Sequence, residues 1–226
     1  MDGARGGPVQ EGNVGGGTGM ICNEFKGGIG TSSRLVRIGD EQYMLGVLVQ
    51  CNYGNREDLK VAGVPVGREL TEPVACYDGP VPPGRSEPRC GEPAPSQPNG
   101  DQGSIIVVVA TDAPLLPHQL ERVARRVTLG LGRMGSVASN SSGDIFIAFS
   151  TATQVDPDAE KMSVEMVNND HLRPIFAATV QATEEAILNA MLAAETMVGA
   201  DNYRVPALPH GELVGVLKKY NRYVGP

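Results

Sequence analysis

Ser104 opens a β-branched run, Ser104-Ile-Ile-Val-Val-Val-Ala-Thr111, directly after Gly103. A cut between Gly103 and Ser104 would leave a serine at a new N-terminus on a rigid strand. Its α-amine, with an ordinary pKa of about 8, could then act as the base for its own hydroxyl. A preceding glycine removes side-chain bulk and permits the backbone strain of an internal acyl shift. By position alone, a hydroxyl that merely starts a strand is the other reading. A second cluster runs Ser139-Asn140-Ser141-Ser142-Gly143-Asp144 into the run DIFIAFST. Ser142 and Asp144 are two apart, so an extended backbone points both to one face. The carboxylate could orient a hydroxyl there, and the hydroxyl could contact a nucleophile. A Ser/Asn/Gly turn with a solvated Asp accounts for the same residues. Asn52 ends the run VLVQCN and could donate its amide NH2 to an oxyanion, or satisfy local backbone.

Other chemistries find less support. The glycine clusters at Gly15 to Gly19 and Gly27 to Gly30 miss the phosphate-loop spacing, and no dinucleotide fingerprint is complete. His118, His171 and His210 show no metal-ligand spacing, so no metal or cofactor is expected. A G-x-S-x-G elbow is absent, which disfavours an α/β-hydrolase. The cysteines Cys22, Cys51, Cys76 and Cys90 lack C-x-x-C spacing. Cys76 and Cys90 could pair if oxidised. With no basic-then-apolar leader in the first twenty residues, four free thiols in a reducing, cytoplasmic setting are the expectation.

These residues need elements to place them. Alternation predicts a half-buried strand over Ser33 to Ile38 and a more apolar one over Tyr43 to Asn52. Ser104 to Thr111 reads as a fully buried strand, and Asp144 to Thr151 as another. Leu120, Val123, Val127 and Leu131 predict a helix from Pro117 to Leu131. Pro174 opens a long helix through Thr196, and a short one follows Pro209 with Leu213, Val216 and Leu217 inward. The acidic run Asp156 to Glu160 is expected to be a solvated helix start. Nine of the 17 prolines lie between Pro65 and Pro98, so residues 77–103 read as a flexible, partly extended linker. Strands and helices on both sides of it imply a layered α/β domain.

Composition narrows the function. The 226 residues carry 26 acidic against 19 basic groups, a formal net charge of -7, which argues against nucleic-acid binding. No apolar run approaches the roughly 18–20 residues of a membrane span. Glycine (29) and proline (17) are abundant, yet 41% of residues are hydrophobic, so the chain can bury a core.

GSIIVVVATDAPLLPHQLERVARRV, from Gly103, and GRMGSVASNSSGDIFIAFST, from Gly132, closely resemble the L-aminopeptidase/D-esterase family, which includes the β-peptidyl aminopeptidases. GNVGGGTGM, FKGGIGTSSR and VLVQCNYG resemble its upstream portion. The resemblance implies an αββα sandwich, related in outline to ornithine acetyltransferases. It implies a precursor that cuts itself at Gly103–Ser104, dividing the chain into an α-subunit portion, 1–103, with a Pro-rich linker over about 65–103, and a β-subunit, 104–226. Ser104 would be the nucleophile, assisted by Ser142 and Asp144, and Asn52 would fall on the oxyanion asparagine. Some members carry Glu at the position of Asp144. The implied activity is removal of N-terminal residues from small peptides, amides or esters by a homo-oligomer of processed pairs, without cofactor. Family chains have a substantial segment before the GNVGGGTGM motif, so this chain is expected to be N-terminally truncated, lacking strands. Two alternatives follow: a non-catalytic association fragment, or an acyltransferase of the ornithine acetyltransferase type. The last is disfavoured because those enzymes use Thr after the cut.

Overall fold

The structure is a computed structural model and describes residues 6–93, 103–152 and 158–225. In chain order its strands are β1 (Ile21–Cys22), β2 (Phe25–Lys26), β3 (Ile29–Ile38), β4 (Glu41–Asn52), β5 (Cys76–Tyr77), β6 (Ser104–Thr111), β7 (Ile145–Ser150), β8 (Met197–Val198) and β9 (Tyr203–Val205). Its α-helices are α1 (Val66–Glu69), α2 (Pro117–Arg133), α3 (Arg173–Leu192) and α4 (His210–Lys219). The main sheet has the order β3-β4-β6-β7. β3 and β6 pair antiparallel with β4, and β7 is parallel to β6. A parallel neighbour needs a crossover, and α2 supplies it.

Helices α2 and α3 cover one face of this sheet. Ile105, Val107 and Val109 of β6 and Leu45, Val47 and Val49 of β4 are buried beneath them with Val123, Val127, Ile175 and Ile187. On α3, Ala178, Ala182, Ala186 and Ala190 recur every four residues, which makes a small-residue stripe along one face. The stripe lets the helix approach β3 so closely that a Cβ on Gly30 would stand 1.9 Å from the Ala186 carbonyl oxygen. Pro117 occupies the first turn of α2, where its missing N–H costs nothing. Gln119 closes that turn. Its Oε1 accepts from the Leu116 amide at 3.0 Å, and its amide group donates to the Val167 carbonyl at 2.7 Å.

Among the described residues no layer packs over the opposite face of the sheet. Leu35, Met44, Ile106, Ile145, Ile147 and Phe149 are exposed on it. The strand expected to be fully buried is therefore half-buried: Ile105, Val107 and Val109 are covered, and Ile106 between them is not. The described residues thus form two layers, one of helices and one a four-stranded sheet, where the expected αββα sandwich has four.

Several other expectations are corrected. The cysteines are paired rather than free. Cys22 meets Cys51 with Cα atoms 5.6 Å apart, and Cys76 meets Cys90 at 4.9 Å, both within disulfide reach. Pairing follows from which chains the fold brings side by side. The early linker is structured. Val66–Glu69 is helical, β5 pairs with β9, and the chain doubles back so that Tyr77 N–H donates to the Pro88 carbonyl and Cys90 N–H to that of Tyr77, both at 2.9 Å. Prolines bar a long strand there, but carbonyls facing a neighbouring chain and one disulfide suffice to order residues 77–93. Residues 94–102 lie outside the described residues. The long helix stops at Leu192, before Thr196, where the Asn13 side chain takes the Glu195 amide at 3.1 Å and turns the chain away. Asp156 lies outside the described residues, and Asp158 to Glu160 form turn and bend rather than a helix start.

Candidate active site

β4 and β6 carry the core of the site because of their register. Asn52, the last residue of β4, stands directly opposite Ser104, the first of β6. Directly opposed residues of an antiparallel pair share a face, so both side chains belong to the open face of the sheet. Gly103 sits where the chain crosses the end of β4. A Cβ there would stand 2.1 Å from the Asn52 carbonyl oxygen, so only glycine fits.

β7 brings the second cluster alongside. The Gly143 amide donates to Ser104 Oγ at 2.9 Å, and the Ile105 amide donates to Asp144 Oδ1 at 3.0 Å. The loop turns just before, where the Ser142 amide donates to the Ser139 carbonyl at 2.8 Å. Ser142 and Asp144 both line a cavity of about 410 Å³ that continues past Ser136, Val137, Leu131 and Phe146. The structure therefore brings together Gly103, Ser104, Asn52, Ser142 and Asp144. It does not join the side chains of Ser142 or Asp144 to the Ser104 hydroxyl by a hydrogen bond among the described residues. Asp144 instead holds the backbone one residue past the serine.

Asn52 has a fixed orientation. Its Oδ1 accepts from the Ile21 amide at 2.9 Å. A backbone N–H can only donate, so the oxygen must face Ile21 and the NH2 must face the other way. Among the described residues no hydrogen bond engages that NH2, which leaves two donors for an oxyanion. Two contributors were missed in the sequence: the Gly143 amide and the Ile21 amide. Neither has a side-chain signature, because both act through backbone N–H groups.

The described residues hold no cluster of three or more His, Cys, Asp or Glu able to bind a metal, and no helix long and apolar enough to cross a membrane. A larger groove of about 1250 Å³ lies at the other end of the sheet, lined by Tyr43, Asp112, Glu165 and His171 among others. It shares no residue with the serine cluster.

The sequence profile of peptidase family S58 matches residues 1–205. The chain belongs to peptidase family S58. It is 52% identical over 224 residues to the beta-peptidyl aminopeptidase BapA of Sphingosinicella microcystinivorans, covering 97% of this chain and 54% of that protein. It is 50% identical to the BapA of Sphingosinicella xenopeptidilytica, covering 96% and 53%. Among solved structures it resembles the L-aminopeptidase D-Ala-esterase/amidase of Ochrobactrum anthropi, with TM-score 0.81, 47% identity, and 96% and 55% of the two chains covered. That enzyme is described as a prototype for the serine aminopeptidases and a variant of the Ntn hydrolase fold. PH0078 from Pyrococcus horikoshii OT3 matches with TM-score 0.80 and 44% identity, over 95% and 54%. This S58 chain has the α/β, Ntn-hydrolase-type fold of these neighbours. It spans about half the length of the relatives it matches.

Proposed function

We propose that this S58 chain carries the reacting centre of a self-processing serine aminopeptidase. The observation that supports it most is the seating of Ser104 Oγ on the Gly143 amide at 2.9 Å, opposite an asparagine with two free donors. In the maturation step, Ser104 Oγ attacks the Gly103 carbonyl carbon. The C–N bond to Ser104 breaks, the nitrogen gains the hydroxyl proton, and an ester forms. Water then hydrolyses that ester, leaving a Gly103 carboxylate and a free Ser104 with its amine and hydroxyl. The two products would be residues 1–103 and 104–226, an α- and a β-subunit that stay associated.

In turnover, the freed α-amine takes the Oγ proton while Oγ attacks the substrate carbonyl. The Asn52 NH2 stabilises the charge that develops on the carbonyl oxygen. The leaving amine departs with the proton, and water completes hydrolysis of the acyl-enzyme. Ser142 and Asp144 assist at the mouth of the adjoining cavity, Asp144 by fixing β6 beneath the serine. Substrates are small peptides, amides or esters with a free N-terminus, handled by an oligomer of processed pairs. Mass spectrometry of the purified chain tests this: two fragments are expected, and retention of both cleavage and hydrolysis in Ser104→Ala defeats it.

A non-catalytic association fragment is the second reading, favoured by the exposed apolar residues of the open sheet face. Such residues in one contiguous array mark a contact surface. Acyl transfer of the ornithine acetyltransferase type stands third, and absence of transfer from an acetyl donor to ornithine would close it.

A further inference from the structure

Lys26 is a buried cation with no role in the steps above. Its side chain lies in β2, and the residue is 2% exposed. Nζ donates to the carbonyls of Gly17 (3.2 Å), Met20 (2.5 Å) and Gly27 (3.0 Å). An ammonium has three donors, and all three are used on backbone oxygens. Burial pushes its pKa down to about 8. Burying a cation costs stability unless hydrogen bonds compensate it, and here three backbone carbonyls do so. The Lys26 amide itself is tied to the Pro206 carbonyl at 2.7 Å, so the base of the side chain is fixed.

The Met20 carbonyl and the Ile21 N–H belong to one planar, trans peptide unit and point in opposite directions. Lys26 holds one end of that unit, and Asn52 Oδ1 holds the other at 2.9 Å. The Gly27 amide also donates to Met20 O at 3.1 Å, and Gly28 O takes the Cys51 amide at 2.8 Å on the other side of Asn52. A cation on the carbonyl oxygen both orients the N–H and strengthens it as a donor.

We propose that Lys26 is a positioning residue that aims the Asn52 amide by gripping the Met20–Ile21 peptide. Its ammonium replaces the water that would otherwise solvate the turn Gly17 to Met20 and keeps the Asn52 NH2 turned towards Ser104. This rests on the aminopeptidase function with Asn52 as the oxyanion donor.

The test is a double-mutant cycle in the full chain. Lys26→Met is expected to lower kcat on an aminoacyl p-nitroanilide about tenfold, with KM within about twofold, because the lost contact acts on the transition state. In an Asn52→Ala background the same change should cost less than about twofold, since coupled residues are not additive. A full tenfold loss in that background, or no loss in either, overturns the proposal. Amide exchange at Ile21 is the second readout: about tenfold faster exchange in Lys26→Met is expected, and unchanged exchange overturns the proposal. A wild-type chain that neither cuts itself nor hydrolyses the anilide defeats the aminopeptidase reading, and Ile21 exchange then judges the positioning role alone. Should Lys26→Met not fold, Lys26→Gln replaces it. Should neither fold, the wild-type decides: an Ile21 amide as protected as that of Cys51 supports the proposal, and random-coil exchange there overturns it.

Discussion

Gly103→Ala is the substitution whose consequence the structure fixes most tightly. The added Cβ would stand 2.1 Å from the Asn52 carbonyl oxygen, 3.1 Å from its carbon and 3.3 Å from Tyr53 Cα. The first contact is about 0.9 Å inside the 3.0 Å that real Cβ atoms respect. All three neighbours are backbone, so no side chain can swing aside. Either the β4–β6 register opens at its end or Ser104 shifts by about 1 Å. Overpacking of this kind costs about 1–3 kcal/mol. For a chain of this size that is a fall in Tm of about 2–12 °C. A misplacement near 1 Å costs on the order of 10²-fold in rate. Conversion of the precursor into 1–103 and 104–226, followed by mass spectrometry over time, should therefore slow by about 10²-fold. Gly132→Ala is the control. It lies in α2 with nothing within 4 Å of the new Cβ. It should leave cutting unchanged and raise stability by up to about 1 kcal/mol. If Gly103→Ala cuts as fast as the wild type, the close packing of Gly103 on Asn52 does not place the nucleophile.

Further expectations follow from single contacts. Asn52→Asp retains an oxygen for the Ile21 amide but loses the NH2, so the protein should fold while kcat falls about 10²–10³-fold; wild-type kcat would refute the oxyanion role. Ile187→Ala empties a fully buried site on α3, and thermal or urea unfolding should show a loss of about 2–5 kcal/mol. Tyr203 has its pKa pushed up to about 12, first by burial and then by the charges of Glu87, Tyr77 and Glu24. A raised phenol contributes stability that is complete below pH 10 and is lost as pH rises towards 12. Absorbance titration should therefore show a tyrosine step near pH 12 that shrinks in Tyr203→Phe, while an unchanged step would remove the assignment.

The helices and long strands were legible because their signals are local. Pro117 marks the first turn of α2, and Val123, Val127 and Leu131 fall on its buried face. Ser104 to Thr111 was bounded correctly, yet its burial was not. Burial on the second face depends on what packs there, which β-branched composition cannot report. Ser104, Asn52, Ser142 and Asp144 are candidates that residue types and the family resemblance single out. Their joining is a matter of register: Asn52 meets Ser104 through a pairing of residues 52 apart in sequence. The Gly143 and Ile21 amides left no trace, since every residue but proline carries one. The disulfides are not legible in the spacing of the cysteines, because their pairing depends on the fold. Cys22 and Cys51 meet only because β1 folds over the end of β4.

Ser104 is proposed as both the site of the cut and the nucleophile, on the seating of its Oγ against the Gly143 amide. Intact-mass measurement of the wild-type chain beside Ser104→Ala, with anilide hydrolysis followed on the same samples, tests it most directly. The wild type should resolve into fragments 1–103 and 104–226 and release the amine, while Ser104→Ala stays whole and inactive. Cleavage at Gly103 and hydrolysis in the alanine variant would show that another group does both.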